Sequence, residues 1–298
     1  MVDTVMGYQL MERVKRCTLL GIRFWDPALD AQIKDGLKVT LAPAENTEKT
    51  ITAYRTRSGI YAFDNIPGMR ELETSMNDDE ISSPPQIRSY VLDIEDVSGR
   101  FSGVAQVVNL PLPYSGLFLV DSDIGSPGEI TKGFNLYSSI IRTSPSQYVC
   151  VRGELVDSDN DLPAVNALLR VQTDDGSSWY GLSDQDGKFS VMMPYPYLHV
   201  AYGSSPPVSD GLRLFQRTWN IALSVLYSPS ALEPVPGSDK PSYFSVLKQS
   251  QALIYQHSPG SAAGEIDELT TQLNYGRDLV VSTDGFSELH ISPTGSPI

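Results

Sequence analysis

The feature that most constrains this chain is a strand-and-turn pattern that occurs twice, the second copy about 130 residues after the first. The first copy runs Gly21-Ile-Arg-Phe-Trp-Asp26, Leu37-Lys-Val39-Thr-Leu41, Ser58-Gly59-Ile-Tyr61-Ala-Phe63, Pro67 and Arg88-Ser-Tyr90-Val-Leu92. The second runs Gly153-Glu-Leu-Val-Asp157, Leu169-Arg-Val171, Asp186-Gly187-Lys-Phe189-Ser-Val191, Pro194 and Arg217-Thr-Trp219-Asn-Ile221. Within each copy apolar residues alternate with polar ones, the period of a half-buried strand, and Gly or Pro separates the runs. Such a pattern builds two similar β-rich units, not one large one.

The spacing divides the chain into an N-terminal arm or short helix over 1–16 and a first β-sandwich over 17–120. A connection follows over 121–146, then a second β-sandwich over 147–228 and a small α/β extension over 229–298. The acidic, Ser- and Pro-rich stretch Glu71–Pro85 reads as a long surface loop of the first unit. In the extension, apolar spacing predicts a helix over Ser242–Gln256 and a second over Glu265–Tyr275, ended by Gly276. Leu279–Thr283 and Phe286–Ile291, joined by Asp284-Gly285, read as a hairpin. The extension has no counterpart in the first copy.

With 298 residues, each unit can bury its own core. The net charge of −14 and a pI near 4.6 speak against a nucleic-acid partner, because phosphate neutralisation needs clustered Lys and Arg. The nearest basic run is Arg13-Val-Lys15-Arg16. No stretch reaches the roughly 18–20 apolar residues of a membrane helix, and the first 20 residues lack the apolar centre of a secretory leader. The expected compartment is the cytoplasm. Cys17 and Cys150 precede the first Gly of each copy and read as buried free thiols.

The residues Val151-x-Gly153-x-Leu-Val-Asp157, Leu169-x-Val171, Asp184-x-Asp186-Gly187-x-Phe189-x-Val191 and Pro194 resemble the carboxypeptidase regulatory-like domain. That resemblance covers 151–227 and, more loosely, 19–94. It implies a transthyretin-like Greek-key sandwich, hence a mostly β chain of two tandem sandwiches, and says little about chemistry. The first copy departs from it, with Ser58 where the second has Asp186. Arg217-x-Trp219, Tyr227-x-Pro229 and Tyr275-Gly-Arg-Asp-Leu279 loosely resemble accessory proteins of phage-tail-like contractile injection machines, which implies a structural subunit of the baseplate region.

Candidate chemistry is sparse. Asp157, Asp159 and Asp161 have the alternate spacing of a calcium loop, but Leu162 and Leu168 stand where that loop needs Gly and Glu. A strand-connecting turn of self-bonding Asp and Asn explains the run without an ion. His199, His257 and His290 form no metal-ligand pair in sequence. No Ser or Cys sits in a nucleophile motif, and the paired carboxylates Glu71/Glu73 and Asp78/Asp79/Glu80 read as exposed charge. Trp179, Tyr180, Tyr195 and Tyr197 remain as partner-contact candidates, since one of the adjacent Trp179-Tyr180 pair must leave the core face. The expectation is a non-enzymatic scaffold subunit that needs no cofactor or metal and docks onto other protein subunits of a large assembly. The alternative is a carbohydrate- or surface-binding adhesive module.

Overall fold

The computed structural model describes residues 18–74, 86–112, 117–118, 132–196, 214–259 and 264–293. The N-terminal arm, Cys17, the remainder of the acidic loop with Asp78, Asp79 and Glu80, Tyr197 and His199 lie outside these residues. The chain is mostly β.

The first unit contains β1 (Gly21–Ile22), β2 (Phe24–Asp26), β3 (Ala31–Ile33), β4 (Leu37–Pro43), β5 (Ile51–Thr52), β6 (Tyr54–Arg55) and β7 (Tyr61–Ala62). A short helix α1 (Arg70–Thr74) follows, then β8 (Arg88–Asp96), β9 (Val104–Leu110) and β10 (Phe134–Asn135). One layer is the antiparallel sheet β5-β4-β8-β9. The other is built on β1 and β2, which act as one strand interrupted at Arg23. β7 pairs with β1, and β3 and β10 flank β2. Alternation places Val39 and Leu41 of β4 and Tyr90, Leu92 and Ile94 of β8 in the buried layer between the sheets.

The second unit contains β11 (Tyr148–Asp157), β12 (Leu162–Pro163), β13 (Leu168–Thr173), β14 (Ser178–Leu182), β15 (Lys188–Pro194) and β16 (Thr218–Leu226). After it come α2 (Tyr243–Leu247), β17 (Ala252–Tyr255), β18 (Glu265–Ile266), β19 (Leu269–Asn274), β20 (Leu279–Val280) and β21 (Leu289–Pro293). The sheet β14-β13-β16-β19 faces a sheet centred on β11, whose neighbours are β15 on one side and β20 and β21 on the other. Phe189, Val191, Leu223 and Val225 fill the space between them. Cys150 is a buried free thiol.

The structure corrects the reading of the extension. The helix expected over Ser242–Gln256 stops at Leu247, and Ala252–Tyr255 is a strand whose Ala252 and Ile254 are buried. Glu265–Tyr275 is not a helix: β18 and β19 occupy it, with β19 paired along its whole length to β16. Leu279 and Leu289 do not face each other in a hairpin; each pairs parallel to β11, at Val151 and Leu155 respectively. The Asp284-Gly285 turn is an excursion along one edge. In all three cases an open strand edge outcompetes local spacing.

These strands also have counterparts in the first unit. β9 pairs with β8 as β19 pairs with β16, and Tyr90↔Val108 matches Trp219↔Leu273. Phe118 and Phe134 pair parallel to Ile22 and Phe24, as β20 and β21 do to β11. Val104, Val108-Asn109 and Leu110 thus correspond to Leu269, Leu273-Asn274 and Tyr275, and the repeat embraces a complete sandwich. The unshared part shrinks to the stretch between β16 and β19. Residues 132–142, expected in a connection, belong to the first core instead: Phe134, Leu136 and Tyr137 are buried there.

Candidate functional site

The stretch after β16 leaves its own sandwich and crosses to the first. Val235 lies on Val91 and Ala105, outside the β8–β9 sheet. Lys240 reaches Asp93 at 2.7 Å. Gln106, itself buried, accepts hydrogen bonds from the Ser242 hydroxyl at 3.1 Å and the Phe244 N–H at 3.0 Å, which satisfies donors at the start of α2. Tyr243 is 1% exposed, stacks 4.5 Å from Phe134 and donates to the Asn135 carbonyl at 2.7 Å. Phe244 stacks on Phe118 at 6.1 Å. From the second sandwich, Leu168 and Leu182 join the same cluster, and Tyr180 approaches Tyr137 at 6.4 Å. Arg152 ties the seam further, donating to the Ile140 carbonyl at 2.9 Å and pairing with Asp278 at 3.0 Å. The two sandwiches are welded through one continuous aromatic core.

Burial raises the Tyr137 hydroxyl to about 12. Tyr243 is held well above its ordinary value by burial and by the neighbouring Tyr137. A neutral phenol favoured in the folded state contributes stability that is complete below the unfolded value of 10.0 and is lost as pH climbs from there through about 12. We therefore expect unfolding free energy to be insensitive to these tyrosines at neutral pH and to fall steeply above 10.0. Alkaline titration that follows tyrosinate absorbance alongside circular dichroism checks this. Ionisation of all tyrosines before any loss of β signal would contradict it.

The aromatic candidates divide between the two cores. Trp179 packs on the second core and the partly buried Tyr180 on the first, so the member of the pair that leaves its own core face packs at the weld. Tyr195 forms a half-buried cluster with Trp219 at 5.6 Å and Tyr275 at 4.7 Å, and its hydroxyl accepts the Gly276 N–H at 2.8 Å. Tyr197 lies outside the described residues.

The acidic candidates are turn chemistry. Asp157 is 2% exposed, and its carboxylate accepts from the Asp159 N–H, the Asn160 amide and the Tyr227 hydroxyl at 3.0, 3.0 and 3.2 Å. Asp159 accepts from Ser292 at 3.0 Å, and Asp161 takes the left-handed conformation that ends the turn. Burial and the Asp157 charge raise the Tyr227 hydroxyl. Among the described residues no group of three or more His, Cys, Asp or Glu side chains is placed to hold a metal ion. Calcium added to or chelated from the full chain is expected to leave its melting temperature unchanged. Tyr227→Phe, which strips a buried carboxylate of one donor, is expected to lower stability by about 1–2 kcal/mol in chemical denaturation.

Glu73 corrects another reading. It is 6% exposed, and its carboxylate accepts the backbone N–H groups of Asn65 and Ile66 at 3.1 and 2.9 Å. The start of the acidic stretch is thus a closing element of the first sandwich. Glu71 is exposed. His257 pairs with Asp284 at 2.9 Å, while the buried His290 meets the Phe286 ring edge at 4.6 Å. The two serve separate local contacts.

One cleft of about 550 Å³ opens between β3, the 98–101 turn and residues 141–145. Its inner wall is a buried ion pair of Asp26 with Arg142, whose guanidinium also donates to Ser138 at 2.9 Å and lies over the Phe101 ring at 4.6 Å. Arg100, at the mouth, is held by Asp96 at 3.0 Å and Asp35 at 3.5 Å. These charges are matched to protein partners.

No family model matches the sequence, and no curated protein matches it. The resemblance to the carboxypeptidase regulatory-like domain therefore rests on its motif residues. Among solved structures, the shaft pilin SpaA from Lactobacillus rhamnosus GG aligns at 8% identity over 96% of this chain and 100% of its own, with a TM-score of 0.24. The C-terminal fragment of the pilus adhesin SpaC from the same source aligns at 10% identity over 94% of this chain and 100% of its own, with a TM-score of 0.22. Scores of that size do not define a shared topology. Among the described residues no helix is long and apolar enough to cross a membrane.

Proposed function

We propose that this chain is a non-enzymatic structural subunit that docks onto other protein subunits of a large assembly. The observation that carries the reading is the weld: the longest unshared segment of the repeat places Tyr243 and Phe244 in the other sandwich, so that both units share one aromatic core. A core shared between modules suits positioning and load transmission. It does not suit closure over a substrate. Within that class, the loose resemblance of Arg217-x-Trp219 and Tyr275–Leu279 favours an accessory subunit of the baseplate region of a contractile injection machine.

The test is fractionation of the chain from its native host, with crosslinking and mass spectrometry. The expected result is co-migration with a large complex at fixed stoichiometry. A strictly monomeric chain with no crosslinked protein would overturn the proposal. The half-buried cluster of Tyr195, Trp219 and Tyr275 favours the second reading, an adhesive module that stacks sugars. Binding to a glycan array, abolished by Trp219→Ala, would select it.

A further inference from the structure

We infer that the chain binds a second copy of itself head to tail: the exposed turn 159–162 of one molecule enters the cleft beside β3 of the next. The inference rests on the docking role proposed above and names one of the partners. It starts from the charges of the cleft. Asp26 is engaged by Arg142, and Arg100 by Asp35 and Asp96. Lys34, exposed at the rim, has no ion-pair partner among the described residues. The walls beside it are apolar: Leu29, Ile33 and Phe101 line the cleft, and Ile141, 71% exposed, forms its lip. A cleft of this make-up fits a carboxylate that lies next to an aliphatic side chain.

The turn between β11 and β12 presents that pair. Leu162 is 59% exposed, and the neighbouring Asp161 carboxylate is exposed with no partner among the described residues. Between Arg152 and Arg170 the sequence carries Glu154, Asp157, Asp159 and Asp161 and no basic residue, so this acid is not neutralised by its own stretch of chain. The turn also holds its shape before any contact is made. Asn160 donates to Asp157 at 3.0 Å and accepts the Leu162 N–H at 2.9 Å, and Asp161 sits in its left-handed conformation. An ordered projection loses little conformational freedom on docking.

Connectivity prevents one molecule from filling its own cleft. Thr143 and Pro145 of the cleft wall shortly precede β11, and the turn directly follows it. The 10 residues of that extended strand hold the two about 30 Å apart. Cleft and turn therefore stand at opposite ends of one strand, and each copy offers its turn to one neighbour and its cleft to another. A heterologous contact of this kind adds copies in one direction, closing into a ring or continuing as a filament.

The test is sedimentation velocity on the full chain at low salt, carried to about 1 mM because a contact this small is of the weak class. The expected result is a concentration-dependent series of oligomers beyond the dimer, which added salt suppresses. Lys34→Glu in the cleft, and Asp161→Asn combined with Leu162→Ser in the turn, should each weaken association about tenfold or more. All three positions are exposed, thermal melts verify that the variants fold, and Lys34→Gln is the milder cleft variant if the charge reversal disturbs folding. A mixture of the cleft variant and the turn variant should give a dimer and nothing larger, since only one intact cleft and one intact turn meet. A monomeric wild-type chain, a wild-type series that stops at the dimer, association that either variant leaves intact, or a mixture that stays monomeric would overturn the inference. Any of these leaves the docking role itself to the native-complex experiment, where crosslinks to a different protein sustain it, so the two failures are distinguishable.

Discussion

Tyr243→Ala is expected to lower the unfolding free energy by about 4 kcal/mol, the range for removing a buried aromatic ring. The ring is 1% exposed and stacks 4.5 Å from Phe134 at the centre of the weld, so truncation opens a cavity that rigid sheets on both sides cannot close. Tyr243→Phe keeps the ring and removes only the hydroxyl bond to the Asn135 carbonyl, so its expected loss is about 1 kcal/mol. The alanine variant should also split one cooperative denaturation into two, because α2 and its flanks couple the sandwiches. Urea unfolding read by fluorescence and by exchange at each sandwich checks both. A single transition with a loss below about 1 kcal/mol would mean that the coupling lies elsewhere.

The second large effect is expected at Gly187. It occupies a left-handed conformation (φ 76°) in the turn into β15, and a methyl group there would press against the Leu155 carbonyl oxygen and sit 3.3 Å from the Pro163 side chain. The conformation alone costs a non-glycine residue about 1–2 kcal/mol, and displacing β11 backbone adds to that. Gly187→Ala should therefore cost about 3 kcal/mol in total. Gly176, with φ 84° and nothing within 4 Å, isolates the conformational part, so Gly176→Ala should cost only about 1 kcal/mol. Gly59, the first-copy counterpart of Gly187, faces the Gln32 amide and the Lys34 Cγ and Cβ, side-chain atoms where Gly187 faces backbone, and should tolerate alanine better than Gly187. Equal losses at Gly176 and Gly187 would refute the role given to the Leu155 contact.

The strands whose signal is local were legible. β4, β13 and β16 alternate in sequence as they do in burial, and Gly59 and Gly187 turn the chain where their spacing predicted. The misreadings share one cause. Ile266, Leu269, Thr270 and Leu273 satisfy helical spacing while Leu269, Thr271 and Leu273 satisfy strand spacing, and a window that short cannot choose. The match of Leu273-Asn274 to Val108-Asn109 was the available signal, weak on its own. Glu73 was read as exposed because its stretch is acidic. Its burial depends on two N–H groups, of Asn65 and Ile66, that only the folded turn presents. Trp179 and Tyr180 were read as facing opposite ways, yet the sequence held no information that another sandwich stood on one side.

By itself, then, the sequence determined two β-sandwich units, their turns and the inward parity of their main strands, because those properties follow from side-chain period and backbone φ within a few residues. The tertiary structure alone decided that the C-terminal strands complete the second sandwich and that the stretch between β16 and β17 crosses to the first. Both outcomes include contacts between residues more than a hundred positions apart, as Gln106 to Ser242 and Arg152 to Asp278 show. Such pairings are chosen by which edges and apolar faces remain uncovered once the local strands have formed.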